Sequence, residues 1–226
     1  MIDYKLIAYL EQFVTEKRRN LFKKVLEERT RHFTVAIEDI YQAHNASAVV
    51  RSCDIFGIQE VHIIENKYKF KASKQVSKGA QKWLDFQFYH QKELNNTLNC
   101  IQNLKAKGFQ IIATTPHNNS CYLQNFDITK KSAFFFGVEK QGLSEDVLNN
   151  ADGNLKIPMV GFTESLNISV AAAIILQSIT QKLKKSDVNW QLSSIEKDKK
   201  YLDWLEKSIK GIKKIKEYFY SKIITE

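Results

Sequence analysis

A chain of 226 residues, 43% hydrophobic and 26% charged, is large enough for one full domain with appendages, and its composition excludes a disordered or fibrous protein. Three widely spaced cysteines, Cys53, Cys100 and Cys121, exclude a disulfide framework or a CxxC metal or redox site, and no apolar run approaches the ~18 residues of a membrane span, so the expectation is a cytoplasmic protein with no metal and no membrane partner. The formal charge of +9 is concentrated at the ends: residues 1–34 carry +3, residues 35–180 carry +1 and residues 181–226 carry +5, which suits either contact with a polyanion or a solvated lysine-rich surface.

In chain order, Thr15 precedes "EKRRNLFKKVLEER", where Leu21 with Val25 and Phe22 with Leu26 fall at helical spacing. The centre alternates short apolar runs with helical patterns. Strands are predicted at 34–40, 61–64, 86–90, 110–114, 133–138 and 154–159; helices are predicted at 46–56 ending at Gly57, 91–107 ending at Gly108, after Ser144, and 167–185. Such alternation implies crossover connections and a mostly parallel sheet with helices on both faces. Residues 66–82 contain six lysines, Lys67, Lys69, Lys71, Lys74, Lys78 and Lys82, and no acid; they read as a mobile basic loop leading into a helix, beside the ligand end of the sheet. One long C-terminal helix opens with Ser193 and Glu196 in capping-box register and carries the stripe Leu202, Leu205, Ile209, Ile212, Ile215 and Phe219. A stripe of that length predicts docking on the central domain or on a second copy.

In an open parallel sheet ligands bind beyond the carboxyl ends of the strands, which directs attention to the loops after 114, 137 and 159. GxGxxG, GxxxxGK[ST] and HExxH are absent, which removes dinucleotide, P-loop and zinc readings. The loops instead hold "FFGVEKQGLSED", with Gly137 and Gly142 bracketing Glu139, and "GFTESLNISVAAA", with Ser165 and Asn167 at a helix start. Asn45 and Asn167 each suit a helix N-cap as well as a functional site. Arg51 lies in "NASAVVRSCDIFG" among small and apolar residues, as either a snorkelling surface side chain or an anion reader.

Together these segments resemble the SpoU family of RNA 2′-O-methyltransferases. The first family motif matches "HNASAVVRSCDIFG", the second "FFFGVEKQGLSED" and the third "IPMVGFTESLNISVAAA", in the family's order, with the resemblance running from about 34 to 180. "SKGAQKW", "ADGNLKIPM" and the short basic ends are most similar to the members that methylate the ribose of guanosine-18 in tRNA. The resemblance implies an α/β fold with a SPOUT-type trefoil knot, a methyltransferase domain over 34–180, and basic helical extensions over 1–33 and 181–226. It further implies S-adenosyl-L-methionine as methyl donor, tRNA as substrate and a homodimer whose sites draw on both subunits. Carried onto this sequence, it gives Arg51, Asn45, Glu139, Ser165 and Asn167 catalytic roles. Thr114, Gly137, Ile157, Met159 and Leu166 fall to the cofactor, and Arg18, Arg19 and Lys82 to RNA. Methylation of ribosomal RNA, or RNA binding without methylation, are the alternatives within that resemblance.

Overall fold

The computed structural model describes residues 2–71, 73–116, 120–138 and 141–224. The chain divides into two units, residues 30–190 and residues 1–29 with 191–226.

The central unit is a seven-stranded sheet of β1 (Phe33–Glu38), β2 (Glu60–Ile64), β3 (Asp85–Tyr89), β4 (Gln110–Thr114), β5 (Cys121–Tyr122), β6 (Ser132–Phe136) and β7 (Gly153–Lys156), in the order β3-β2-β1-β6-β4-β7-β5. All pairings are parallel, with Val35 opposite Val61 and Phe134, and Ile112 opposite Phe134 and Gly153. The two innermost strands, FTVAIE and SAFFF, are buried along their whole length, because helices cover both faces of a parallel sheet. Side chains alternate accordingly. Phe134 and Phe136 pack with α3 (Ala43–Ile55) and α7 (Ile168–Lys184), while Ala133 and Phe135 pack with α5 (Asn96–Ala106) and α6 (Glu145–Asn150).

The predicted elements all form, with displaced ends that have local causes. β1 stops at Glu38 because Asp39 takes a left-handed conformation (φ 49°). α3 begins at Ala43, three residues before the predicted start, so Asn45 lies inside the helix and is not its cap. α5 begins only after Asn95, whose side chain accepts from the Leu98 amide at 3.0 Å. β7 ends before Pro158, and residues 157–166 leave the sheet. The two-residue edge strand β5 is too short to have been read from its pattern.

Residues 65–70, within the stretch expected as a mobile basic loop, are held by hydrogen bonds. The Asp39 carboxylate accepts from the backbone amides of Asn66, Lys67 and Tyr68 at 2.8, 2.8 and 3.3 Å, and Glu65 accepts from the Phe70 amide at 2.7 Å. A short helix α4 (Lys74–Ser77) and a 3-10 turn (Ala80–Lys82) follow.

On the α5 face, His62 of β2 is fully buried, with Nδ1 3.1 Å from the Tyr89 hydroxyl and Nε2 3.4 Å from the Glu60 carboxylate. Burial pushes the imidazole down to about 4, against the opposing pull of Glu60.

The helical unit consists of α1 (Tyr4–Glu11), α2 (Glu16–Glu27), α8 (Ser194–Ser208) and α9 (Ile212–Ile224). Thr15 caps α2, and Ser193 with Glu196 forms the capping box of α8. Leu6, Leu10, Phe22, Leu26, Tyr201, Trp204 and Leu205 make its core. The ring of Phe22 meets Trp204 edge to face at 5.6 Å, and Tyr9 stacks on Phe219 at 4.9 Å. The predicted C-terminal helix is therefore two: Gly211, at φ 70°, takes a left-handed turn that ordinary side chains resist. Within this unit α8 packs on α1 and α2 and α9 on α1; of the apolar stripe Leu205 and Phe219 are buried, while Leu202, Ile209, Ile212 and Ile215 are partly exposed. α1 lies within the helical extension expected over 1–33 but has no element of its own in the sequence pattern above, although Leu6 and Leu10 fall at helical spacing.

Candidate active site

A cavity of about 340 Å³ opens at the carboxyl ends of β4, β6 and β7. Thr114 and Gly137 stand at strand ends, Ile157 follows β7, Gln141 to Leu143 form one wall, Met159 and Glu164 to Leu166 another, and Ile168, Ala171 and Ile175 of α7 line its base. The walls are largely apolar, with Thr114, Gln141, Lys156, Glu164 and Ser165 supplying polar groups. That mixture suits a ligand with a flat apolar part and a charged end.

All five residues assigned to a cofactor, Thr114, Gly137, Ile157, Met159 and Leu166, line this cavity, as does Ser165. Thr114 donates its hydroxyl to the Phe135 carbonyl at 2.6 Å, which ties β4 to β6 at the cavity mouth. Beyond β6 the chain turns so tightly that Val138 and Gly142 exchange backbone hydrogen bonds of 2.9 and 2.8 Å. A Cβ on Gly137 would lie 2.2 Å from the Gly142 carbonyl oxygen. Only a residue without a side chain lets the backbone close in this way.

The turn is held from behind by a residue that sequence reasoning did not single out. Glu38, 3% exposed at the end of β1, accepts from the Ser144 amide at 2.9 Å, the Ser144 hydroxyl at 2.7 Å and the Thr97 hydroxyl at 2.6 Å. Its only signal in the sequence is a carboxylate closing an apolar run.

Asn167 caps α7, accepting from the Ser169 amide at 2.9 Å, and its side-chain amide donates to Asn45 Oδ1 at 3.3 Å. Asn45 in turn donates to Gln42 Oε1 at 3.0 Å. Two motifs separated by 122 positions are thus joined directly at the edge of the cavity. Arg51 lies further along α3, exposed, outside the cavity lining, and with no hydrogen bond or ion pair among the described residues. Glu139 lies outside the described residues.

Of the residues assigned to RNA, Arg18 and Arg19 are on α2, Arg18 exposed and Arg19 3.9 Å from Glu11. Lys82 is exposed, its ammonium 4.8 Å above the Trp83 ring. Among the described residues no helix is long and apolar enough to cross a membrane.

Comparison with known proteins agrees with this arrangement. Residues 32–177 match the model of the SpoU rRNA Methylase family. A tRNA (guanosine(18)-2′-O)-methyltransferase of Borreliella burgdorferi is 39% identical over 207 residues, 92% of this chain and 93% of that protein. The crystal structure of the A. aeolicus TrmH/SpoU tRNA modifying enzyme superposes with a TM-score of 0.76 at 30% identity, covering 85% of this chain and 97% of that one. The SpoU methyltransferase AviRb from Streptomyces viridochromogenes, solved in complex with AdoMet, shares the fold with a TM-score of 0.61 at 22% identity, over 72% of this chain and 65% of that one. The family match over most of the chain and the relative that is similar along nearly its full length give one conclusion: the chain belongs to the SpoU methylases.

Proposed function

We propose that the chain transfers a methyl group from S-adenosylmethionine to the ribose 2′-hydroxyl of guanosine-18 in tRNA, acting as a cytoplasmic homodimer with the knotted topology of its family. The observation that carries the reading is the Asn45 to Asn167 hydrogen bond at 3.3 Å, which sets the first motif against the cavity formed by the other two. The naming of the Borreliella burgdorferi relative as a guanosine-18 enzyme, across nearly the full length of both chains, supports the choice of substrate.

The residues fit the donor. The Gly137 turn is a cradle that a Cβ would fill, Ile157, Met159 and Leu166 supply apolar walls for an adenosine, and Glu164 is a carboxylate at the cavity for a cationic end. S-adenosylmethionine, when bound, supplies an activated methyl on a sulfonium, so the protein's task is to present a ribose oxygen in line with it. A ribose hydroxyl is a weak nucleophile, and negative charge develops on its oxygen during transfer. A guanidinium with a pKa above ~12 is a poor proton acceptor but a strong fork-shaped donor. Arg51 therefore stabilises the forming alkoxide or an adjacent phosphate. Asn45 and Asn167 orient the groups around it, Ser165 lines the donor cavity, and Glu139 belongs to the same motif as Gly137. Because Arg51 does not line the cavity of its own chain, the homodimer brings it to the cavity of the second copy.

The test is transfer of labelled methyl from S-adenosylmethionine to a tRNA transcript, with mapping of the modified ribose in total RNA from cells with and without the gene. Methylation at guanosine-18 that disappears with Arg51→Ala is the expected result. Label appearing in ribosomal RNA, or binding of tRNA without transfer, would overturn the substrate or the activity respectively.

A further inference from the structure

Beside the first motif, the ligand end of the sheet carries two tyrosines that no core residue requires. Tyr41 is 72% exposed and Tyr68 42% exposed, yet their rings meet edge to face with centroids 5.0 Å apart. Exposed aromatic rings kept together in water form a surface with an apolar face and a polar tip, suited to stacking against another flat ring. Tyr41 immediately precedes Gln42, which accepts from Asn45, so the pair stands one helical turn from the residue that bonds to the cavity edge.

The backbone leading to Tyr68 is tied by hydrogen bonds. Asp39, 7% exposed and in the left-handed region at φ 49°, gathers the amides of Asn66, Lys67 and Tyr68. Asn66 donates further to the Thr97 hydroxyl at 2.9 Å. A non-glycine residue held at positive φ is tolerated where surrounding bonds over-determine it, and such strain concentrates at functional loops. The same loop presents Lys67, Lys69 and Lys71 to solvent, and none of the three has an acidic partner among the described residues. An aromatic surface with an adjoining row of unpaired lysines is the combination that holds unstacked nucleotides, rings taking the bases and ammonium groups the phosphates.

We propose that Tyr41 and Tyr68, with Lys67, Lys69 and Lys71, form a stacking platform that holds an unstacked base of the RNA next to the nucleotide being methylated. The platform deepens the RNA methyltransferase reading and rests on it for the identity of the RNA, while the stacking itself is testable without catalysis. Its role is positioning, since neither tyrosine touches the cavity.

The experiment measures binding of a tRNA transcript and of a short single-stranded oligoribonucleotide across a salt series, using the full chain. Tyr41→Ala and Tyr68→Ala are expected to weaken both by about 5- to 150-fold, the range for one base–aromatic stack, with an unchanged slope of log K against log salt. Tyr41→Phe and Tyr68→Phe should retain affinity. Replacing Lys67, Lys69 and Lys71 together by Gln should flatten the salt slope, since fewer counterions are released. Binding of S-adenosylmethionine and the oligomeric state should be unaffected by any of these changes. RNA affinity that survives both alanine substitutions in a protein that methylates tRNA overturns the platform alone, as does a change of oligomeric state caused by them. A wild-type chain that fails to methylate tRNA but binds the oligoribonucleotide through the tyrosines overturns the substrate reading and supports the platform.

Discussion

Gly137→Ala is the sharpest test of the donor cavity, because the backbone leaves no room for a side chain there. The added carbon would sit 2.2 Å from the Gly142 oxygen, 2.5 Å from the Gly142 carbonyl carbon and 2.7 Å from the Leu143 nitrogen. All three are main-chain atoms, so no rotamer change relieves the contact. The turn must retreat by roughly 1 Å, which disrupts the paired hydrogen bonds between Val138 and Gly142. Overpacking costs about 1–3 kcal/mol and each of the two lost bonds about 0.5–1.5 kcal/mol, so a loss of roughly 2–6 kcal/mol is expected. For a protein of this size, at about 2–4 °C per kcal/mol, that corresponds to a fall of roughly 4–24 °C in Tm, accompanied by loss of S-adenosylmethionine binding in titration calorimetry. Gly153→Ala is the control: its Cβ would meet only the Ile112 side chain, at an ordinary 3.5 Å, and both readouts should stay near wild type. A Gly137→Ala protein with unchanged melting and donor affinity would refute the reasoning, since the turn would then tolerate what its geometry forbids.

Four further outcomes are expected. Glu38→Gln removes charged acceptance from Ser144 and Thr97 and should lower stability by about 1–3 kcal/mol, read by denaturant titration, and loosen the cavity wall so that donor binding weakens. His62 is held at about 4 in the fold against its usual 6.5, with Glu60, Tyr89, Lys107 and Arg31 around it. Between those pH values the unfolded chain binds a proton that the folded chain refuses, so stability is complete above pH 6.5 and falls on acidification; at about 1.4 kcal/mol per pH unit the loss approaches roughly 3 kcal/mol. Melting curves from pH 7 to 4 should be flatter for His62→Gln than for wild type, and coincident slopes would refute this. Mixing Arg51→Ala with Gly137→Ala chains should restore up to about a quarter of wild-type methylation through heterodimers carrying one intact site, whereas no recovery would mean that Arg51 serves its own chain's cavity. Arg51→Lys should lower the single-turnover rate uniformly across pH, and loss of the pH slope would instead favour proton removal by Arg51.

The legible parts of the fold were those with local causes. "QIIAT" reads as β4 residue for residue, and Ser144, Asn167 and the Ser193 and Glu196 box start the helices expected of them. The cavity-lining set was equally accessible, because loops that end parallel strands must converge on the same end of the sheet. What escaped depends on contacts between distant positions. Nothing near residues 66–68 announces that Asp39 will collect their amides from 27 to 29 positions away, so a lysine-rich stretch read as loose. Asn45 looked like a cap because the apolar pattern begins after it, but α3 starts earlier and turns the side chain toward Asn167. The α8 to α9 break was hidden because the apolar stripe continues in register across Gly211, and periodicity does not report a left-handed residue.

Two consecutive acids at the end of β1 explain how one strand can organise both the cavity and the loop beside it. Glu38 reaches Ser144 and Thr97, fixing the wall of the donor cavity, while Asp39 gathers the loop that carries Tyr68 and the lysines. A pair of carboxylates at a surface meant for a polyanion would repel phosphate if exposed. Both are buried, and both Glu38 oxygens and Oδ1 of Asp39 accept from amide and hydroxyl donors, so the negative charge is turned inward. Lys67, Lys69 and Lys71 occupy the solvent side of the same loop. The strand end therefore presents a positive outer surface on a negative foundation. A side chain at position 39 without an acceptor oxygen would lose the three amides and with them the placement of the lysines, so in the proposed platform the acid that opposes RNA by its charge favours it by its geometry.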